Sequence, residues 1–209
     1  MSETYTLENL AEQQNIYRDA LSRERVRISV CAGTGCIANG SRLVFDALNK
    51  IAKNDPSFIS IEMMLEDHKL EGNRIVKTGC RGFCAKGPLV HIDPQNIIYT
   101  HVTPQDAEEI YHAALEGKVV ERLVYHNPAT NEIYENAEDS PFYKNQTLNI
   151  LKHCGKINPE SLREYIADNG YQAIKMVLES KTPEEVIKIV FDSGLRGRGG
   201  GGFPTGKKW

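Results

Sequence analysis

A chain of 209 residues is long enough for one ordinary domain and a second, smaller or incomplete one. Its hydrophobic content of 40% and charged content of 25% are those of a soluble globular protein, and a net charge of -3 without any Lys/Arg block excludes a nucleic-acid partner held by charge. The polar, acidic start MSETYTLENLAEQQ lacks the apolar run of a secretory signal, and no stretch of about 18 apolar residues could span a membrane, so no direct membrane insertion is expected.

Residues 1–24 read as a helical segment, with Leu7, Leu10, Ile16, Tyr17 and Leu21 roughly on one face. VRISVC (26–31) alternates apolar and polar residues as a half-buried strand does. The loop AGTGCIANG follows, then a helix from Ser41 with Leu43, Val44, Ala47, Leu48 and Ile51 as its stripe. SFISIEMML (57–65) reads as a second strand and RIVKTG (74–79) as a third. Residues 88–102 read as a hairpin turning at Asp93, Pro94, Gln95 and Asn96. Thr103-Pro104 opens a helix that buries Ala107, Ile110, Tyr111, Ala114 and Leu115. This α/β order resembles a thioredoxin-like sandwich over residues 25–117. Residues 118–157 carry prolines, asparagines and tyrosines without a period, as an extended linker would. A small helical segment begins at Asn158-Pro159, and Thr182-Pro183-Glu184-Glu185 forms a capping box for its last helix. A glycine-rich tail completes residues 158–209.

Five cysteines remain to be explained. Cys31-x4-Cys36 and Cys80-x3-Cys84 each follow a predicted strand, so their loops can meet at the carboxyl edge of one sheet. Four soft thiolates there suit iron-sulfur or zinc. Structural zinc favours tight C-x2-C knuckles, whereas x4 and x3 spacings leave room for a two-iron unit with one iron per loop. Gly33, Gly35, Gly79, Gly82 and Gly87 would let backbone N–H groups reach the sulfurs, and Lys77, Arg81 and Lys86 could offset negative charge. No C-x-x-C supports thiol-redox chemistry, and a disulfide would be unusual in the cytosol, the compartment expected without an export signal. Cys154 is expected far from both loops, as a small buried hydrophobe. Glu66, Asp67 and His68 read as surface charge, and His91 and His101 as hairpin residues. No general acid or base is assigned.

GTGC around Cys36 and GCRGFCAKGPLV around Cys80 and Cys84 resemble the thioredoxin-like 2Fe-2S ferredoxins. That family includes the 24 kDa-type subunit of respiratory complex I and the N-terminal domain of NAD-linked hydrogenase β subunits. The resemblance implies a 2Fe-2S cluster on Cys31, Cys36, Cys80 and Cys84.

The tail SGLRGRGGGGFPTGKKW offers weaker motifs. Gly197, Gly199 and Gly202 satisfy G-x-G-x-x-G, but after a helix rather than a strand. Gly201-x4-Gly206-Lys207 lacks the Ser/Thr of a phosphate loop, with Lys208 in its place. The longer string LRGRGG-x-GFPTG-x-KW is similar to the flavin loop of the 51 kDa-type complex I subunit and its hydrogenase and formate dehydrogenase relatives. That resemblance implies flavin contacts from Gly197, Arg198, Gly199, Gly200 and Lys208, with Gly201 where alanine is common. It also implies that 158–209 begin an incomplete FMN- and NAD(H)-binding domain, followed in the family by a 4Fe-4S segment. The expectation is therefore the N-terminal fragment of an NAD(P)H- and FMN-dependent electron-transfer subunit in a multi-subunit complex. A free-standing ferredoxin with a docking arm, and a zinc-stabilised docking domain, remain as alternatives.

Overall fold

The computed structural model describes residues 6–209. These form two compact units, residues 12–168 and residues 169–209 with 6–11. In chain order the elements up to the first sheet's end are α1 Leu10–Ser22, β1 Glu24–Cys31, α2 Thr34–Ala38, α3 Ser41–Ala52, α4 Ile61–Glu66, β2 Gly72–Thr78, β3 Val90–Asp93 and β4 Ile97–Tyr99. Then come α5 Ala107–Glu116, β5 Tyr125–His126, β6 Ile133–Tyr134, α6 Pro141–Lys144 and α7 Leu162–Ala167. The last elements, α8 Gln172–Ser180, α9 Pro183–Asp192 and α10 Thr205–Lys208, belong to the smaller unit.

The main sheet runs β2-β1-β3-β4, with β1 parallel to β2 and antiparallel to β3. Alternation along β1 divides its side chains between two faces. Val26, Ile28 and Val30 join the core made with α3 and α5, where Val44, Leu48 and Ile110 are fully buried. Each such side chain contributes about 1.5–3 kcal/mol through burial. The capping box of Thr103 and Asp106 starts the turn leading into α5, and Gly117, at φ +67°, ends that helix in the left-handed region.

The other face carries Arg27, Ser29 and Cys31, in register with Arg74, Val76 and Thr78 on β2. This polar face is covered as well. Glu164 of α7, fully buried, accepts from Arg27 and Arg74 at 2.7 Å each and from the Asn158 backbone N–H at 2.7 Å. Glu24 stands 3.6 Å from both guanidinium groups. From α1, Gln14 and Arg18 donate to the carbonyls of Ile166 and Ala167. Charge pairing fastens this layer alongside buried apolar side chains such as Tyr17 and Ile166.

Several expectations change. SFISIEMML is not one strand: Phe58 bridges to Asn73 beside β2, but Ser60 then caps α4 by accepting from the Met63 N–H. Ile61 and Met64 recur at helical spacing and are buried. The loop AGTGCIANG contains a helical turn, α2. The N-terminal helix is Leu10–Ser22, and residues 1–5 lie outside the described residues. Finally, 118–157 is no extended linker. It folds into the β5–β6 hairpin and α6, whose aromatic residues pack on the Cys80–Cys84 loop. Compactness extends to Asp168, so 158–168 lie in the unit of the main sheet, and the cap of α7 is Ser161 rather than Asn158.

In the smaller unit Thr182 and Glu185 make the expected capping box. A Cβ at Gly206 would stand 2.5 Å from the Phe191 backbone N and Cα, which cannot give way. Gly206→Ala is therefore expected to detach α10 from α9. Hydrogen exchange would check this: amides of 205–209 should lose protection while those of α3 and α5 keep theirs.

Candidate metal centre

β1 ends at Cys31 and α2 carries Cys36; both thiols are buried, at 1% exposure. Cys80 and Cys84 follow β2 and are exposed. The parallel pairing that places Cys31 beside Thr78 brings both loops to the carboxyl ends of neighbouring strands. The thiols stand as two pairs. Cys31 hydrogen-bonds Cys36, and the Cys80 and Cys84 sulfurs lie 3.8 Å apart. Among the described residues, no three His, Cys, Asp or Glu side chains converge on a point suited to one metal ion.

Glycines let the two loops interlock. A Cβ at Gly33 would stand 2.8 Å from Cys80 Cβ and 3.0 Å from its sulfur. One at Gly35 would stand 3.3 Å from the Cys84 sulfur, and one at Gly87 only 2.6 Å from the Cys36 sulfur. Each loop leaves room for the other loop's thiols or its own. The Gly82 N–H donates to the Cys80 sulfur at 3.3 Å, from a left-handed backbone at φ +82°.

The hydrogen bond from Cys36 holds the Cys31 thiol down to about 6, against burial, while the same bond and then burial push Cys36 up. Cys84 is pushed up mainly by its bond to Cys80.

The three cations separate. Arg81 is half-buried, interacts with Cys31, and donates to the Gly155 carbonyl at 2.6 Å. Lys77 instead pairs with Glu160 and lies over the Phe45 ring. Lys86 lies 5.5 Å over the Tyr125 ring. Glu66, Asp67 and His68 are exposed, and His91 is a buried β3 residue bonded to Asp93 and Asn96.

Two features escaped the sequence. Cys154 is not remote: its sulfur would stand 3.8 Å from a Cβ at Gly79, against the Cys80 loop. Phe83, between the second cysteine pair, stacks on Phe142 at 4.3 Å and meets Tyr125 and Tyr143 edge-on. The only sequence signal was the density of tyrosines in 125–143.

In the glycine-rich tail the Gly197 N–H donates to the Phe203 carbonyl and Thr205 N–H to the Leu195 carbonyl, both at 2.9 Å. This closes a loop in which Gly199, Gly200 and Gly201 have open space where a Cβ would be. Arg198 and Lys208 are exposed.

A sheet edge presenting two interlocked cysteine loops defines a small ferredoxin-like class of domain. Residues 15–114 match the thioredoxin-like [2Fe-2S] ferredoxin family, so this part of the chain belongs to it, and the expected α/β thioredoxin-like fold holds. The chain is 53% identical over 66 residues to the NADP-reducing hydrogenase subunit HndC of Solidesulfovibrio fructosivorans, covering 32% of this chain and 13% of that one. It is also 53% identical over 68 residues to the F-type subunit of NADH-quinone oxidoreductase from Aquifex aeolicus, covering 32% and 16%. The crystal structure of the thioredoxin-like [2Fe-2S] ferredoxin from Aquifex aeolicus is 31% identical, covers 50% of this chain and 99% of that one, and aligns with a TM-score of 0.40. The chain thus spans only a small part of the length of these curated relatives.

Proposed function

We propose that Cys31, Cys36, Cys80 and Cys84 hold a 2Fe-2S cluster and that the chain passes electrons within an NAD(P)-linked oxidoreductase. The observation that carries this reading is the arrangement of four thiols as two pairs on interlocked loops. A two-iron unit needs two thiolates per iron, and the pairs supply them: Cys31 with Cys36, Cys80 with Cys84. When bound, the cluster supplies one-electron chemistry. The chain's own part is electrostatic: the Gly82 N–H and the Arg81 guanidinium stabilise negative charge on sulfur, and the apolar shell around Cys31 and Cys36 limits water.

The wider role follows from the names of the relatives. We read residues 169–209 as leading into a flavin site, with Gly197, Arg198, Gly199, Gly200 and Lys208 toward FMN. The open space at Gly199, Gly200 and Gly201 would let a phosphate approach the backbone, and the two cations suit its charge. Hydride from NAD(P)H would enter through flavin, and single electrons would leave through iron-sulfur centres, including a 4Fe-4S cluster elsewhere in the complete protein. Partner subunits of a cytoplasmic redox complex would receive them.

Anaerobic purification with iron and sulfide assays tests the central claim. About two irons and two sulfides per chain, with visible absorption bleached by dithionite, are expected. Cys36→Ser should lose most of that iron while far-UV circular dichroism stays unchanged. A colourless protein retaining one zinc would overturn the reading.

A further inference from the structure

We propose that Tyr143 is a tuning residue of the cluster: its buried hydroxyl donates a hydrogen bond to a sulfur of the bound cluster and stabilises the reduced state. The inference rests on the cluster reading above. The Tyr143 oxygen is buried and has no hydrogen-bond partner. A buried hydroxyl without an acceptor costs about 1–3 kcal/mol, so such a group calls for an explanation. Its ring packs on the apolar cluster that contains Cys31 and Cys36, and meets Phe83, the residue between Cys80 and Cys84, edge-on at 5.9 Å.

The placement is held from several sides. The Ser140 carbonyl accepts from the Tyr143 N–H at 3.1 Å, starting α6. Phe142 stacks on Phe83 with its ring nearly parallel and contacts Tyr143 edge-on at 4.9 Å. Arg81, whose buried Nε is also without a partner, is fixed by its bond to the Gly155 carbonyl. Two donors therefore stand unpartnered in the layer that packs on the cysteine loops, neither is taken up by a cysteine sulfur, and the sulfide of a bound cluster is the acceptor chemistry they lack. A tyrosine hydroxyl, with an ordinary value of about 10, is protonated at neutral pH and is therefore a donor. Hydrogen bonds to cluster sulfur favour the more negative, reduced state.

The test uses the full chain and its Tyr143→Phe variant, which keeps the ring and removes only the oxygen. Tyr134→Phe is the control, because the Tyr134 hydroxyl is bonded to Glu132 instead. Mediated titration followed by electron paramagnetic resonance gives the midpoint potential. Nuclear double resonance in water and deuterium oxide counts exchangeable protons coupled to the reduced cluster. Tyr143→Phe should shift the reduction equilibrium about tenfold toward the oxidised state, about 59 mV for one electron. It should also lose one coupled exchangeable proton. Equal potential and equal proton coupling, at unchanged iron and sulfide, would overturn the proposal. So would an equal shift in Tyr134→Phe, which would assign the effect to ring packing. A wild-type chain without iron and sulfide would overturn the cluster reading itself, and this proposal with it.

Discussion

Replacing Glu164 by glutamine is expected to lower the unfolding free energy of the larger unit by about 3 kcal/mol, near the lower end of what removing one partner of a buried ion pair costs. The carboxylate is fully buried and answers two guanidinium groups, Arg27 and Arg74, that are themselves nearly buried. Glutamine keeps the shape but leaves both cations short of charge. Glu24, 3.6 Å from each, supplies part of the compensation, which is why the lower figure applies. Urea unfolding followed by far-UV circular dichroism measures the loss. A change below about 1 kcal/mol, the value of an exposed pair, would show that the network contributes little.

The same variant makes a pH prediction. Burial alone would raise the Glu164 carboxyl, but Arg27, Arg74 and the Asn158 N–H outweigh it and hold it below the usual range. A folded value below the unfolded one means that the unfolded state binds more protons, so stability rises with pH. The wild-type advantage over Glu164→Gln should be full above the unfolded carboxylate value of about 4.3 and fade as pH falls through the folded value. Glu24 is displaced upward, chiefly by burial, and titrates in the opposite sense in both proteins. Because the charge of Glu164 is itself one of the causes that raise Glu24, the difference between the two curves reports Glu164 together with its effect on Glu24.

Gly87→Ala is expected to cut iron retention by about tenfold or more, the cost typical of disturbing the shell around a metal site. The new methyl would stand 2.6 Å from the Cys36 sulfur and 3.4 Å from the Cys84 carbonyl. Cys36 is buried and cannot swing outward, so the thiol pair with Cys31 must open. Gly79→Ala is the matched comparison at the other end of the same loop, since its methyl meets nothing closer than 3.7 Å. Iron assays after gel filtration should separate the two variants. Equal iron in both would remove the glycine cradle from the account of the site.

Much of this was legible because the signals were periodic. Val44, Leu48 and their stripe mark α3, Thr103-Pro104 marks the start of α5, and the cysteine spacings mark both loops. Alternation in VRISVC misled in one respect. It suggests a strand with one wet face, whereas Arg27, Ser29 and Cys31 are covered. The cover is recognised by charge, and a glutamate in LREYIA carries no mark that it will be buried against arginines 137 and 90 residues away. SFISIEMML failed for a different reason. Ser60 splits a β-rich string by capping a helix at its middle, and apolar residues on both sides hide the change of period. The tyrosine-bearing stretch had no period because its aromatic side chains answer Phe83 rather than one another's spacing.

The layer that covers the thiols comes late in the chain, and this fixes an order of events on the ribosome. All four paired cysteines, and the strands that aim them, have been made by Cys84 and Tyr99, while Phe142, Tyr143, Gly155 and Glu164 are still to be translated. At about 5–20 residues per second this leaves an interval of seconds in which the loops can be assembled but not yet roofed. If the cluster is held as proposed, iron and sulfide delivered in that interval would reach Cys31 and Cys36 before they are buried; delivered afterwards, they would first meet the exposed Cys80 and Cys84.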